Sequence, residues 1–153
     1  VKLSPHFTLK EFIKSDTAER LGIDNTPNQD IVDNLKILAK GLEDVRQLLD
    51  KPIYISSGYR SLELNNLLKS KPTSQHCQGL AADFRADGYG TPDDIVYSIV
   101  NSSINYDQLI MEFVKPDVPY SGWVHISFCK NSNDARKQAL MIDSNGVTIY
   151  KKQ

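Results

Sequence analysis

Ile31, Leu35, Leu38, Leu42, Val45 and Leu49 recur at alternating spacings of four and three residues. Only an α-helix brings such positions onto one side. The stretch from Asn28 to about Asp50, just before Pro52, is therefore predicted to be one long helix with a single buried face. The stripe reads as core rather than as a cofactor-binding box. The chain has 153 residues, enough for one compact domain over 1–153 and too few for two ordinary ones.

The segments around this helix alternate between two patterns. Thr8 and Glu11 form a T-x-x-E capping box ahead of the short helix TLKEFIKS, and a second short helix in TAERLG stops at Gly22. PIYIS reads as a strand, and GYRSLELNNLLKS turns through Gly58 into a helix capped by Ser61. KPTSQHCQG reads as a loop. GLAADFRA alternates as a strand, with Leu80, Ala82 and Phe84 on one face and Ala81, Asp83 and Arg85 on the other. TPDDIVYSIVNS is a helix with Thr91 as N-cap and Pro92 at its first position. Three more strands follow, DQLIMEF, GWVHISF and QALMID, and the Asn-Gly pair of SNG predicts a hairpin turn into VTIYK. Helices come first and strands gather late. The expected class is α+β, a single domain of N-terminal helices packed on a mainly antiparallel sheet.

Charge and composition narrow the partners. A net charge of −1 with no lysine-arginine stripe gives no handle for nucleic acid or an anionic membrane surface. No apolar run approaches the roughly 20 residues a membrane span needs. VKLSPHFTLKEF has no continuous apolar core, so no signal peptide is expected. Cys77 and Cys129 are too few for a disulfide framework and are expected to be small buried hydrophobes. His6 reads as a loop residue without a special role.

Two strands carry chemistry. In GWVHISF, Trp123, His125 and Ser127 share a face, and in GLAADFR the carboxylate of Asp83 lies among alanines. If these strands are neighbours, Asp83 and His125 converge, and the loop before Asp83 can deliver His76. A buried, unpaired aspartate is costly, and a cation would offset that cost. Two nitrogens and one oxygen with a fourth position left for water are what a catalytic Zn²⁺ site requires.

The pattern S-x-H-x-x-G-x-A-x-D, present as Ser74, His76, Gly79, Ala81 and Asp83, is followed far downstream by W-V-H at 123–125. It resembles the zinc D-Ala-D-Ala carboxypeptidase and L-alanyl-D-glutamate endopeptidase family. SSGYRS at 56–61 and the opening HFTLKEFIKSDTAERLGIDNTP look like the branch common in bacteriophage genomes. The resemblance implies the fold shared with the hedgehog signalling domain, a small α+β sheet with zinc in an open groove. It also implies His76, Asp83 and His125 as zinc ligands. Arg60 resembles the family arginine that holds a substrate carboxylate or carbonyl, which its planar fork suits. Ser74 resembles the family serine that bonds the substrate or orients the site.

Many relatives place an acidic residue three positions before the last zinc histidine, where this chain has Gly122. The best substitute for that general base is Glu112, in DQLIMEF, ahead of Asp107 and Asp117. The expected function is a zinc metallopeptidase that cleaves an amide in the peptide stem of bacterial peptidoglycan. A monomeric phage endolysin is expected, held in the host cytoplasm until its release to the cell wall. A non-catalytic zinc-binding module, or a phage structural component with a vestigial site, remains open on the same residues.

Overall fold

The structure is a computed structural model that describes residues 1–153. A two-stranded hairpin, β1 (Lys2–Ser4) and β2 (Phe7–Thr8), opens the chain, followed by α1 (Leu9–Ile13), α2 (Asp16–Leu21) and α3 (Gln29–Leu49). Then come β3 (Tyr54–Ser57), α4 (Leu62–Leu67), a 3-10 turn at Gln75–Gln78, β4 (Ala81–Arg85) and α5 (Pro92–Val100). β5 (Gln108–Glu112), β6 (Trp123–Ser127), β7 (Gln138–Asp143) and β8 (Gly146–Ile149) complete it. The six long-range strands form one sheet in the order β3-β4-β6-β5-β7-β8. All its neighbours run antiparallel except β5 and β7.

The helices start and stop where local chemistry dictates. Thr8 and Glu11 close a capping box on α1, Asn28 caps α3 by accepting from the Ile31 N–H, and Ser61 caps α4. Thr91 and Asp94 close a second capping box on α5, where Pro92 takes the first turn. Each such cap satisfies orphan N–H groups and is worth about 1 kcal/mol.

The stripe of α3 lies on one face of the sheet. Leu35, Leu38, Leu42 and Val45 are fully buried, in one cluster with Ile95, Val96 and Ile99 of α5. Ala82 and Phe84, Leu109 and Met111, and Val124 and Ile126 meet them from the sheet. Burying a side chain of this size stabilises by roughly 1.5–3 kcal/mol, which offsets backbone ordering at about 1–2 kcal/mol per residue. The alternation that puts these residues inward turns Asp83, His125 and Glu112 to the opposite face of the sheet. The helices thus build the core on one side and leave the other for chemistry.

The C-terminus is fastened to α5. The buried Asp93 carboxylate accepts from the Tyr150 hydroxyl at 2.7 Å, from the Gln153 backbone N–H at 3.2 Å and from the Lys152 ammonium.

Three local expectations are corrected. The hairpin tip is Ser144-Asn145, because Asp143 pairs with Gly146 and the glycine itself opens β8 at φ +119°. The loop KPTSQHCQG contains the 3-10 turn, capped by the Ser74 hydroxyl. Neither cysteine is fully buried. Cys77 sits on that turn, and Cys129 borders Asp107 and Arg136.

Candidate metal centre

The site begins with strand register. β4 and β6 pair so that Asp83 lies directly opposite His125, which places their Cβ atoms about 5 Å apart on one face. The His125 Nδ1 lies 3.0 Å from Asp83 Oδ1. His76 reaches the same oxygen from the 3-10 turn that leads into β4, its Nε2 at 3.3 Å. The two imidazole rings meet edge to face with centroids 5.1 Å apart. All three residues are buried, and their donor atoms lie within 4.8 Å of one another.

Hydrogen bonding fixes which atoms face inward. His76 Nδ1 donates to the Gly58 carbonyl at 2.7 Å, because a carbonyl can only accept. The neutral ring then carries a bare lone pair on Nε2, aimed at a carboxylate oxygen that is also an acceptor. Two acceptors cannot face each other at 3.3 Å without a cation between them, either a proton or a metal. The separations of 3.0 and 3.3 Å match those of ligands placed tetrahedrally around a common Zn²⁺, roughly 3.3 Å apart. Donor types, geometry and burial therefore fit a zinc ion.

Asp83 divides its two oxygens. Oδ1 faces the histidines, while Oδ2 accepts from the Arg60 NH2 at 3.5 Å. Burial alone would push this carboxyl up. When a proton takes the cation's place between His76 and Asp83, the charge of that ring and hydrogen bonds from both imidazoles outweigh burial and hold the carboxyl well below the usual carboxylate range. Arg60 is positioned by its Nε bond to Ser57 Oγ at 3.2 Å and by its backbone N–H on the His76 carbonyl. Neither bond engages NH1. The guanidinium thus steadies Asp83 and keeps part of its fork for something else.

Glu112 belongs to the same face. It pairs with Trp123 two positions from the Ile110–His125 pair, one row along the sheet from Asp83 and His125. Burial raises its carboxyl, Asp83 raises it further, and His125, Trp123 and Arg60 pull it partly back. The Trp123 Nε1 is buried and has no acceptor at hydrogen-bond distance. A carboxyl with a raised pKa is suited to take and return a proton near neutral pH.

The backbone explains why no acid stands at position 122. Gly122 has φ +72°, and a Cβ there would overlap the Glu112 carbonyl oxygen and lie 2.8 Å from Phe113 C and Val114 N. Phe113 itself is held at φ +56°, its ring tilted by 30° against Trp123 with centroids 5.4 Å apart. A side chain at 122 is strained where β5 and β6 come this close, and on this face of the sheet β5 carries Glu112 instead.

The other candidates fall elsewhere. Asp107 is buried and bound by Arg136 and Gln75. Asp117 is exposed on the β5–β6 connection. His6 is an exposed residue bonded to Glu43. Ser74 accepts from the His76 N–H at 3.2 Å, so what the structure gives it is a capping role beneath His76. Two contributors have no signal in the sequence: the Gly58 carbonyl that orients His76, and the pairing of Arg60 with Asp83. Both depend on three-dimensional contact between segments with no shared periodicity.

Comparison with curated proteins gave no match. A family model described as Peptidase M15 matches residues 5–127, a span that takes in every residue of the metal centre together with Arg60 and Glu112. The buried His-Asp-His group is what a family of zinc peptidases requires, and the match covers most of the chain. The chain belongs to the Peptidase M15 family.

Proposed function

We propose that this chain is a zinc metallopeptidase acting on the peptide stem of bacterial peptidoglycan. The observation that carries the reading is the buried His76 Nε2 facing the Asp83 carboxylate, an arrangement that needs a cation. Membership of the M15 family supports the choice of zinc and of amide hydrolysis. His76, Asp83 and His125 would hold the ion. When bound there, zinc supplies Lewis acidity, which makes water nucleophilic near neutral pH and polarises an amide carbonyl.

The chain's own residues do the rest. Glu112 takes the proton from the attacking water and returns it to the leaving amine, a role its raised carboxyl suits. The free part of the Arg60 fork binds a carboxylate or carbonyl of the substrate, while its other arm keeps Asp83 in place. Trp123, paired with Glu112 across the strands and in contact with the Phe113 ring, borders the site on that side. The phage-like opening and the SSGYRS stretch favour an endolysin, released to the wall from the cytoplasm of the host.

The test combines metal and product. Purified protein is analysed for zinc and then incubated with purified peptidoglycan, and the fragments are identified by mass spectrometry. Stoichiometric zinc that His76→Ala loses, and new termini within the stem peptide, are the expected results. Release of terminal D-alanine identifies a carboxypeptidase, and cleavage inside the stem an endopeptidase. Zinc binding without any cut bond would make the chain a binding module and refute the enzyme reading.

A further inference from the structure

His76 stands on a four-residue 3-10 turn, Gln75–Gln78, a short element with little stability of its own. The Gly58 and Arg60 backbone groups hold it on the β3 side, and the Asn34 amide holds its far end through the Gln78 carbonyl. One side-chain hydrogen bond ties it to the half of the sheet that carries His125 and Glu112, from Gln75 Nε2 to Asp107 Oδ2 at 3.0 Å.

Asp107 is built to be a fixed post. It lies immediately before β5, is only 3% exposed, and its backbone bridges β6 and β7 through Ser127 and Gln138. Arg136 grips its carboxylate bidentately, Nε to Oδ1 at 2.9 Å and NH2 to Oδ2 at 2.8 Å, and the Arg136 backbone N–H adds a third bond at 3.0 Å. That arginine lies outside residues 5–127, the span matched by the family model.

We infer that Gln75, Asp107 and Arg136 form a positioning relay that sets the distance of His76 from His125 and so tunes the affinity of the metal centre. The inference rests on the zinc reading above. With the link intact, the His76 ring is fixed both to the β3 side and to the β5–β6 side of the site. Without it, the turn keeps its β3-side and α3 anchors and a backbone tie to β6 through Leu80, but no side chain fixes it to the start of β5, and the gap between the rings gains freedom to widen. Supporting shells of this kind are worth about 10–100-fold in metal affinity, even though none of the three residues would touch the ion.

The experiment measures zinc dissociation constants by chelator competition for the full chain and for Gln75→Met, Arg136→Gln and Asp107→Asn. Gln75→Met keeps the length of the side chain and removes only the donor. Thermal melting of the metal-free proteins and imidazole NMR of His76 and His125 are recorded in parallel. Gln75→Met is expected to bind zinc about 10-fold more weakly, with an unchanged metal-free melting temperature and a broadened or shifted His76 ring signal beside an unmoved His125. The Gln75→Met/Asp107→Asn double variant should lose little more than the worse single one, because the two act as one unit. If Asp107→Asn fails to fold, Arg136→Gln in the Gln75→Met background supplies the cycle. Wild-type affinity in Gln75→Met overturns the relay while leaving the zinc centre standing. So does an affinity loss matched by a general drop in metal-free stability with both ring signals disturbed. A wild-type chain that binds no zinc removes the zinc reading itself, and the relay with it.

Discussion

Gly122→Ala tests the claim that backbone geometry, rather than chance, keeps a side chain away from position 122. The substitution places a Cβ on a residue with φ +72°, which costs an L-residue roughly 1–2 kcal/mol. The new atom overlaps the Glu112 carbonyl and lies 2.8 Å from two further backbone atoms. None of these is the flexible end of a side chain, so relief requires a shift of β5 against β6, at about 1–3 kcal/mol. The sum is about 2–5 kcal/mol, a large part of the roughly 5–15 kcal/mol that holds a domain together. Urea unfolding of the metal-free protein should show the midpoint falling by on the order of 1–2 M with little change in slope. A loss within about 0.5 kcal/mol, the range of an ordinary surface substitution, would refute the reasoning. Gly122→Glu extends the test to function. Combined with Glu112→Gln it should fail to restore turnover, and a recovered rate would show that position 122 can present an acid after all.

Glu112→Gln keeps the shape of the side chain and removes the base, so it should retain zinc and fold while kcat falls by ~10²–10⁴-fold; unchanged turnover would end the assignment. Arg60→Ala should lose most of its kcat/KM on wall fragments, with Arg60→Lys recovering only part because a point charge cannot reproduce the fork; wild-type kinetics in the alanine variant would return Arg60 to a purely structural role. The Asp107 carboxyl is held well below the usual range by hydrogen bonds from Arg136. Its contribution to stability is therefore complete above the unfolded value of about 3.9 and drains away as pH falls toward the lower folded value. Asp107→Asn should flatten the acid limb of urea midpoints measured from pH 2 to 7, and parallel limbs in the two proteins would contradict it.

What the sequence announced was set by neighbours a few residues apart. The α3 stripe and the caps at Thr8, Ser61 and Thr91 are local chemistry, and each stands at its predicted place. The alternation of GLAADFR and GWVHISF fixed which residues share a face, but only the pairing of β4 with β6 turns shared faces into a cluster. Contacts between distant segments left no pattern to read. The Arg136 grip on Asp107 spans 29 residues, and the parallel pairing of β5 with β7 follows from a connection with no periodicity of its own. The β1–β2 hairpin was too short to register as alternation. The 3-10 turn that carries Cys77 lies in a segment whose composition announced only a loop.

Asp83 and His125 are 42 residues apart in the chain, and β6 must slot between β4 and β5 before they meet. A ribosome adding roughly 5–20 residues per second takes about 2–8 s to cover that gap. Through that interval the emerging polypeptide displays His76 and Asp83 but not the third donor, and a two-donor half-site competes weakly for a scarce ion. A three-donor site would thus form only after His125 has emerged and β6 has paired with β4. A chain interrupted before Trp123 would carry His76 and Asp83 without the third donor.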